Sequence, residues 1–208
     1  YFNIYMKPSI LVISDFPNWA YSNIQNFIFE NLSDEYDIYL DYLVFHTINK
    51  SKNPIELAKL LISKLKYSKT KKNNDYDIVF YLGFYFDSLI NVKWKSKKII
   101  KGIYTDSFPP KNSNFQGTKN QFIKKFFSDT DAIVCGSPLI KEFYQESFQK
   151  TYHANNIVNQ NLFKRKSQQK DNFNFTIGWT GNPKREFKGF YTHVKPAAEL
   201  LIKKYKNI

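Results

Sequence analysis

"SILVIS", residues 9–14, runs directly into "DFPNWAYSNIQNFIFENL", residues 15–32. The first is a continuous apolar run of strand length. In the second, Trp19, Ile24, Phe27, Ile28 and Leu32 recur at helical spacing. A buried strand feeding an amphipathic helix is one βα unit, and the chain repeats it. "YDIYLDYLVF" (36–45) reads as a strand, and "NPIELAKLLISKL" (53–65) as a helix with Asn53 as cap and Pro54 at its first position. "DIVFYLGF" (77–84) and "KIIKGIY" (98–104) are strands, and "TKNQFIKKFFS" (118–128) is a helix. "DAIVCGS" (131–137) is a strand, "PLIKEFYQESF" (138–148) a helix capped by Ser137, and "KTYHAN" (150–155) a last short strand. Continuous apolar strands alternating with helices predict an α/β domain whose parallel sheet is covered by helices on both faces. In open sheets of this kind, ligands bind beyond the carboxyl ends of the strands.

Composition sets the bounds. Of 208 residues, 42% are hydrophobic and 18% aromatic, which is material for a proper core. No uninterrupted apolar stretch reaches the ~20 residues of a membrane-spanning helix. "YFNIYMKPSILVIS" lacks the features of a secretory signal, so a cytoplasmic protein is expected. Met6 is the only methionine and "MKPSILVIS" would make a natural start, which leaves residues 1–5 as upstream sequence. The single cysteine, Cys135, excludes an internal disulfide framework and a Cys-based metal cluster; it reads as a packed, inert thiol. The three histidines, His46, His153 and His193, include no pair with metal-ligand spacing. His46, at the end of a strand-like run, reads as structural.

The net charge is +13, carried almost wholly by lysine; Arg165 and Arg185 are the only arginines. An excess of Lys, Asn, Ile, Tyr and Phe with few Arg is what AT-rich coding sequence produces, so part of this charge is compositional. Lysine runs such as "KYSKTKK" (66–72) fall between a helix and a strand, where solvated loops are the rule. Peripheral attraction to anionic lipid is expected ahead of nucleic-acid binding.

Residues 159–174, "NQNLFKRKSQQKDNFN", are polar and basic and read as a linker between a domain at 6–158 and a further segment at 175–208. That segment opens on a strand, "FTIGW", followed by the loop "GWTGNPKREFKGF" (178–190) and a helix starting or kinking near Pro196. Gly178, Gly181 and Gly189 give the loop backbone freedom, and Lys184, Arg185 and Lys188 give it charge. Two readings stand: a phosphate-holding loop or a plain connection between strand and helix. His193 follows closely enough to face this loop. In "SDFPNWAY" (14–21), Asp15 or Asn18 can cap the helix, and Trp19 either lines a cleft or packs the helix on the sheet. In "YTDSFPP" (104–110), Asp106 either stands where a general base would act or stabilises a turn.

"DAIVCGSPLIKEFYQ…YHANNIVNQNLF" followed by "FTIGWTGNPKREFKGF" resembles the middle of family-4 type retaining glycosyltransferases with the GT-B fold. Residues 154–163, "ANNIVNQNLF", align without a gap with the segment that crosses between the two Rossmann-like domains of that family. Ile157 stands where glycine is usual, and Asn159 where aspartate is usual. The resemblance implies transfer of a sugar from a nucleotide-sugar donor to a glycan or lipid-linked acceptor, without a metal or other cofactor. It implies an acceptor-side domain at 6–158 and the start of a truncated donor-binding domain at 175–208. It places Gly181, Asn182, Arg185 and Lys188 at the donor diphosphate. Lys188 matches the family's lysine, whereas Asn182 occupies the usual arginine position and leaves Arg185 as a shifted substitute. Asp15, Trp19, Asn155 and Asn156 would line the cleft, and Asp106 stands where many members carry a histidine. The family's E-x7-E pair has no counterpart before Ile208, so the 208 residues alone are expected not to catalyse. Two alternatives remain: a sugar-nucleotide epimerase of the same fold, or a non-catalytic α/β binding module with a basic face.

Overall fold

A computed structural model describes residues 6–47, 54–90, 92–105, 108–110, 113–155 and 189–205. The chain forms two compact units, residues 1–163 and 164–208. The expected linker at 159–174 lies outside the described residues.

In the first unit the elements are β1 (Ser9–Ser14), α1 (Ala20–Leu32), β2 (Asp37–Tyr42), α2 (Pro54–Tyr67), β3 (Asp75–Tyr81), α3 (Phe86–Leu89), β4 (Lys95–Ile103), α4 (Lys119–Phe126), β5 (Ala132–Cys135), α5 (Pro138–Gln145) and β6 (Thr151–His153). The strands form one six-stranded sheet in the order β2-β1-β3-β4-β5-β6, and every neighbouring pair is parallel. This is the Rossmann-like α/β architecture expected from the alternating pattern. Along β1, the consecutive side chains of Leu11, Val12 and Ile13 are all fully buried. Successive strand residues point to opposite faces, so the sheet is covered on both.

The core divides into two clusters. One gathers β1, β2 and β3 with Tyr21, Ile24, Ile28, Phe29 and Leu32 of α1. The other is built largely of aromatic rings around α4, β5 and α5. Phe122 is its hub, with ring centroids of Phe84, Phe115 and Phe126 at 5.3, 5.3 and 4.8 Å. Phenylalanine abundance has thus gone into edge-to-face and tilted packing.

Two buried polar side chains, Gln25 and Lys101, are fully engaged. In α1, Gln25 donates to the carbonyls of Val12 (2.7 Å) and Asp41 (2.9 Å) and accepts from Ser14 Oγ (3.0 Å), tying the helix to β1 and β2. In β4, Lys101 is fully buried and its ammonium reaches Asp87 Oδ2 (2.7 Å), the Phe126 carbonyl (2.7 Å) and Asp129 Oδ1 (2.9 Å). All three of its N–H donors are satisfied.

Several boundaries differ from those expected. The second strand stops at Tyr42 rather than Phe45, because Leu43–His46 wind into a 3-10 turn. Asp41 holds that turn: one carboxylate oxygen takes the Tyr42 N–H (2.9 Å) and the Ser68 hydroxyl (3.1 Å), while the other lies 2.7 Å from His46 Nε2. His46 therefore has the structural role read for it. Neither Asp15 nor Asn18 caps α1; Trp19 is the N-cap position and makes no side-chain cap bond. Asp15 is engaged by the adjacent Phe16 N–H, and Ser22 Oγ accepts the Asn18 N–H instead. Ser137 does cap α5, accepting from Ile140 N, and Thr118 and Gln121 close a capping box on α4. Beside the β2 edge, Leu40 exchanges both backbone hydrogen bonds with Lys69 (2.9 and 2.8 Å) in an antiparallel bridge.

In the second unit, Gly189 adopts a left-handed conformation (φ 66°) and leads into a π-helical turn, Phe190–Val194, and α6, Lys195–Lys204. Pro196 sits in the first turn of α6, as its missing N–H predicts. Among the described residues, no helix is long and apolar enough to cross a membrane.

Candidate functional site

The strand order creates one special place. The chain leaves β1 toward β2 on one side and returns to β3 on the other, so the loops after β1 and β3 diverge. In open α/β sheets such a divergence, at the carboxyl edge of the sheet, is the position where ligands are taken.

The loop after β1 is Asp15–Trp19. Asp15 is half-buried, its carbonyl accepts from Val44 N (3.2 Å), and its Oδ1 accepts the Phe16 N–H (2.8 Å). Desolvation by burial raises the Asp15 carboxyl above its ordinary value, and the backbone N–H groups that bond it oppose the rise. Asn18 takes a left-handed conformation (φ 65°), which Asn tolerates better than most side chains. The kink presents Phe16 and Trp19 outward, with ring centroids 5.3 Å apart; Trp19 is 55% exposed. Of the two roles open to Trp19, packing of the helix on the sheet does not hold. It forms an exposed platform with Phe16.

Behind this platform stands a layer of tyrosines and phenylalanines. The Tyr21 ring lies 5.9 Å from Phe86 and 5.4 Å from Tyr104. Burial first, then the neighbouring Tyr85 and Asp15, push the Tyr21 hydroxyl up to about 12. Tyr104, just past the end of β4, fits only because Gly102 in β4 and Gly136 just past β5 lack side chains. A Cβ at Gly136 would come within 2.5 Å of its ring, and one at Gly102 within 2.7 Å of both that ring and the Leu82 carbonyl. The arrangement offers two exposed rings, tilted 37° to one another, on the loop that carries a partly desolvated carboxylate. It can stack a ring and accept hydrogen bonds from its hydroxyls.

Of the residues expected to line a cleft, Asp15 and Trp19 stand on the same loop, between β1 and α1. Asn155 is exposed at the same edge of the sheet, two residues past β6. Four strand spacings separate it from β1, about 19 Å, so it is not part of the Asp15–Trp19 group. Asn156, Asp106, Gly181, Asn182, Arg185 and Lys188 lie outside the described residues. Gly189 is described: its carbonyl accepts from His193 N (2.9 Å) and Val194 N (3.1 Å), and a Cβ there would meet the His193 ring at 2.9 Å. His193 therefore does face the glycine. His153, at the carboxyl end of β6, has a buried Nε2 with no hydrogen-bond partner among the described residues. Cys135 is fully buried, and burial pushes its thiol up to about 12, in keeping with an inert packing role.

Sequence reading missed Tyr21, Tyr85 and Tyr104. The one local signal was the pairing of small and large residues in "KGIY", with glycine two positions before the aromatic. Among the described residues, no cluster of three or more His, Cys, Asp or Glu side chains is placed to hold a metal ion. No protein-family model matches the chain, and no curated protein matches it.

Proposed function

We propose that residues 6–158 are the acceptor-side domain of a retaining glycosyltransferase, and that residues 175–208 contribute the first strand, loop and helix of its donor-binding domain. The observation that carries this reading is the Asp15–Trp19 loop at the topological switch point. There an exposed indole and phenyl ring share a loop with the half-buried carboxylate of Asp15. Sugars present both an apolar C–H face and a rim of hydroxyl donors, and this pairing suits them. The likeness of "ANNIVNQNLF" and "GWTGNPKREFKGF" to the glycosyltransferase crossing and donor loop supports the same conclusion.

In this reading Trp19 and Phe16 stack the acceptor sugar, and Asp15 orients one of its hydroxyls. The resemblance gives Asp106 the place where many members carry a histidine. The resemblance assigns the donor diphosphate to Gly181, Asn182, Arg185 and Lys188. The bond between the sugar C1 and the diphosphate oxygen breaks, and a bond from C1 to the acceptor oxygen forms. Retention of configuration needs the acceptor oxygen to approach C1 on the face that the diphosphate leaves, and the acceptor proton passes to the departing diphosphate oxygen.

Amide chemical-shift mapping of the 208-residue chain tests this. Acceptor-type oligosaccharides should perturb Asp15–Tyr21 and Gly83–Phe86, and nucleotide-sugars should perturb residues 181–188. Trp19→Ala should weaken oligosaccharide binding about tenfold, the weight of one aromatic contact. The reading falls if no carbohydrate perturbs the Asp15–Trp19 loop, or if Trp19→Ala binds as tightly as the parent.

A further inference from the structure

The second helix is turned the unexpected way. At 100° per residue, Leu60, Ser63, Lys64 and Tyr67 share one face of α2 and are its partly buried residues. Ala58, Leu61, Ile62 and Leu65 share the opposite face and are all exposed, Ile62 at 66% and Leu65 at 86%. No residue of α2 is buried. In a helix that only covers a sheet, the apolar stripe faces inward; here it faces away from the domain.

Charge says what meets that stripe. Lys59 and Lys66 are exposed beside it, and residues 52–72 hold seven lysines against one acid, Glu56. A second copy of the chain docked on this stripe would set two such basic clusters against each other. An anionic bilayer would instead accept the apolar side chains between its headgroups and attract the lysines around them. The end of α2 is tied to the domain: the Tyr67 ring lies 6.4 Å from Tyr42, and Ser68, the next residue, donates its hydroxyl to Asp41 (3.1 Å).

We propose that α2 docks the protein on an anionic lipid surface, lying in the plane of the interface with Leu61, Ile62 and Leu65 inserted and Lys59 and Lys66 at the headgroups. This inference stands on α2 and does not depend on sugar transfer. Flotation of the 208-residue chain with vesicles of phosphatidylcholine plus phosphatidylglycerol tests it against vesicles of phosphatidylcholine alone. Binding should be confined to the anionic vesicles and fall with added salt. Ile62→Ser/Leu65→Ser keeps every charge and should weaken binding at least about tenfold. Lys59→Gln/Lys66→Gln should also weaken it about tenfold or more. Lys124→Gln/Lys125→Gln, with the same charge change on α4, should bind as the parent does. Because the substituted side chains are exposed, circular dichroism and thermal melting should be unchanged. Three results would overturn the proposal: no binding to anionic vesicles, an Ile62→Ser/Leu65→Ser variant that binds as the parent does, or a solution dimer that this variant dissociates.

Discussion

Lys101 is the sharpest test of how the first unit is held together. Its ammonium is 1% exposed in the middle of β4, and it joins three separate pieces of chain. Asp87 belongs to α3, the Phe126 carbonyl ends α4, and Asp129 lies in the turn before β5. Removing the whole side chain in Lys101→Ala leaves a void, an unpaired carbonyl and two unneutralised carboxylates, which together should cost about 3–5 kcal/mol. Lys101→Met keeps the stem and recovers the desolvation cost of the ammonium. Its partners have different escapes: Asp129 is 55% exposed and can rehydrate, Asp87 is 26% exposed and does so less well, and the buried carbonyl does not. A loss of about 1–3 kcal/mol follows, set mainly by that carbonyl. Asp129→Asn should cost at most about 1 kcal/mol, because its carboxylate is largely in water. Urea unfolding with linear extrapolation ranks the three variants, provided the slope with denaturant stays constant. The reasoning is refuted if Asp129→Asn costs as much as Lys101→Met, or if Lys101→Met is as stable as the parent. The first result would mean that the carboxylates dominate; the second, that the desolvation of the buried ammonium offsets everything its partners contribute.

Two further outcomes follow from burial at the carboxyl edge. The Cys135 thiol, fully buried and pushed up to about 12, should resist a thiol-specific disulfide reagent in the native state and react only on unfolding; rapid native labelling at neutral pH would contradict this. The Asp15 carboxyl is raised above 3.8 in the folded state, so between 3.8 and its folded value the native chain holds more protons than the unfolded one. Stability is therefore lost as pH rises through that window, and Asp15→Asn should be more stable than the parent at neutral pH, with the gain vanishing below 3.8. An Asn variant that melts lower than the parent at neutral pH would show that Asp15 supports the fold.

How much of this was legible in the residues depended on the range of the forces involved. β1 could be read because both its faces are apolar, and the start of α5 because Ser137 and Pro138 are a local signal. The end of β2 could not: its turn is held by Ser68, twenty-seven residues from Asp41, and by the Asp15 carbonyl meeting Val44 N. Four-residue α3 is too short to show a period. The pattern in 53–65 predicted a helix but carried no information on which side would face the sheet. At the site, Asp15 and Trp19 were legible because they end a strand. The placement of Tyr104 against Gly136 was not, since it depends on neighbouring strands coming into register.

The bridge between Leu40 and Lys69 has a consequence for the molecule in a crowded solution. The outer strand of a sheet offers unpaired backbone groups and is a template on which foreign strands can grow. Here Leu40, midway along β2, already spends its outward N–H and C=O on the chain's own Lys69. At the opposite border β6 has only three residues, too few for a long intermolecular ladder. Both borders are therefore poor seeds for aggregation. A variant that releases residues 68–70 from β2 should be the first to form fibrils at high concentration.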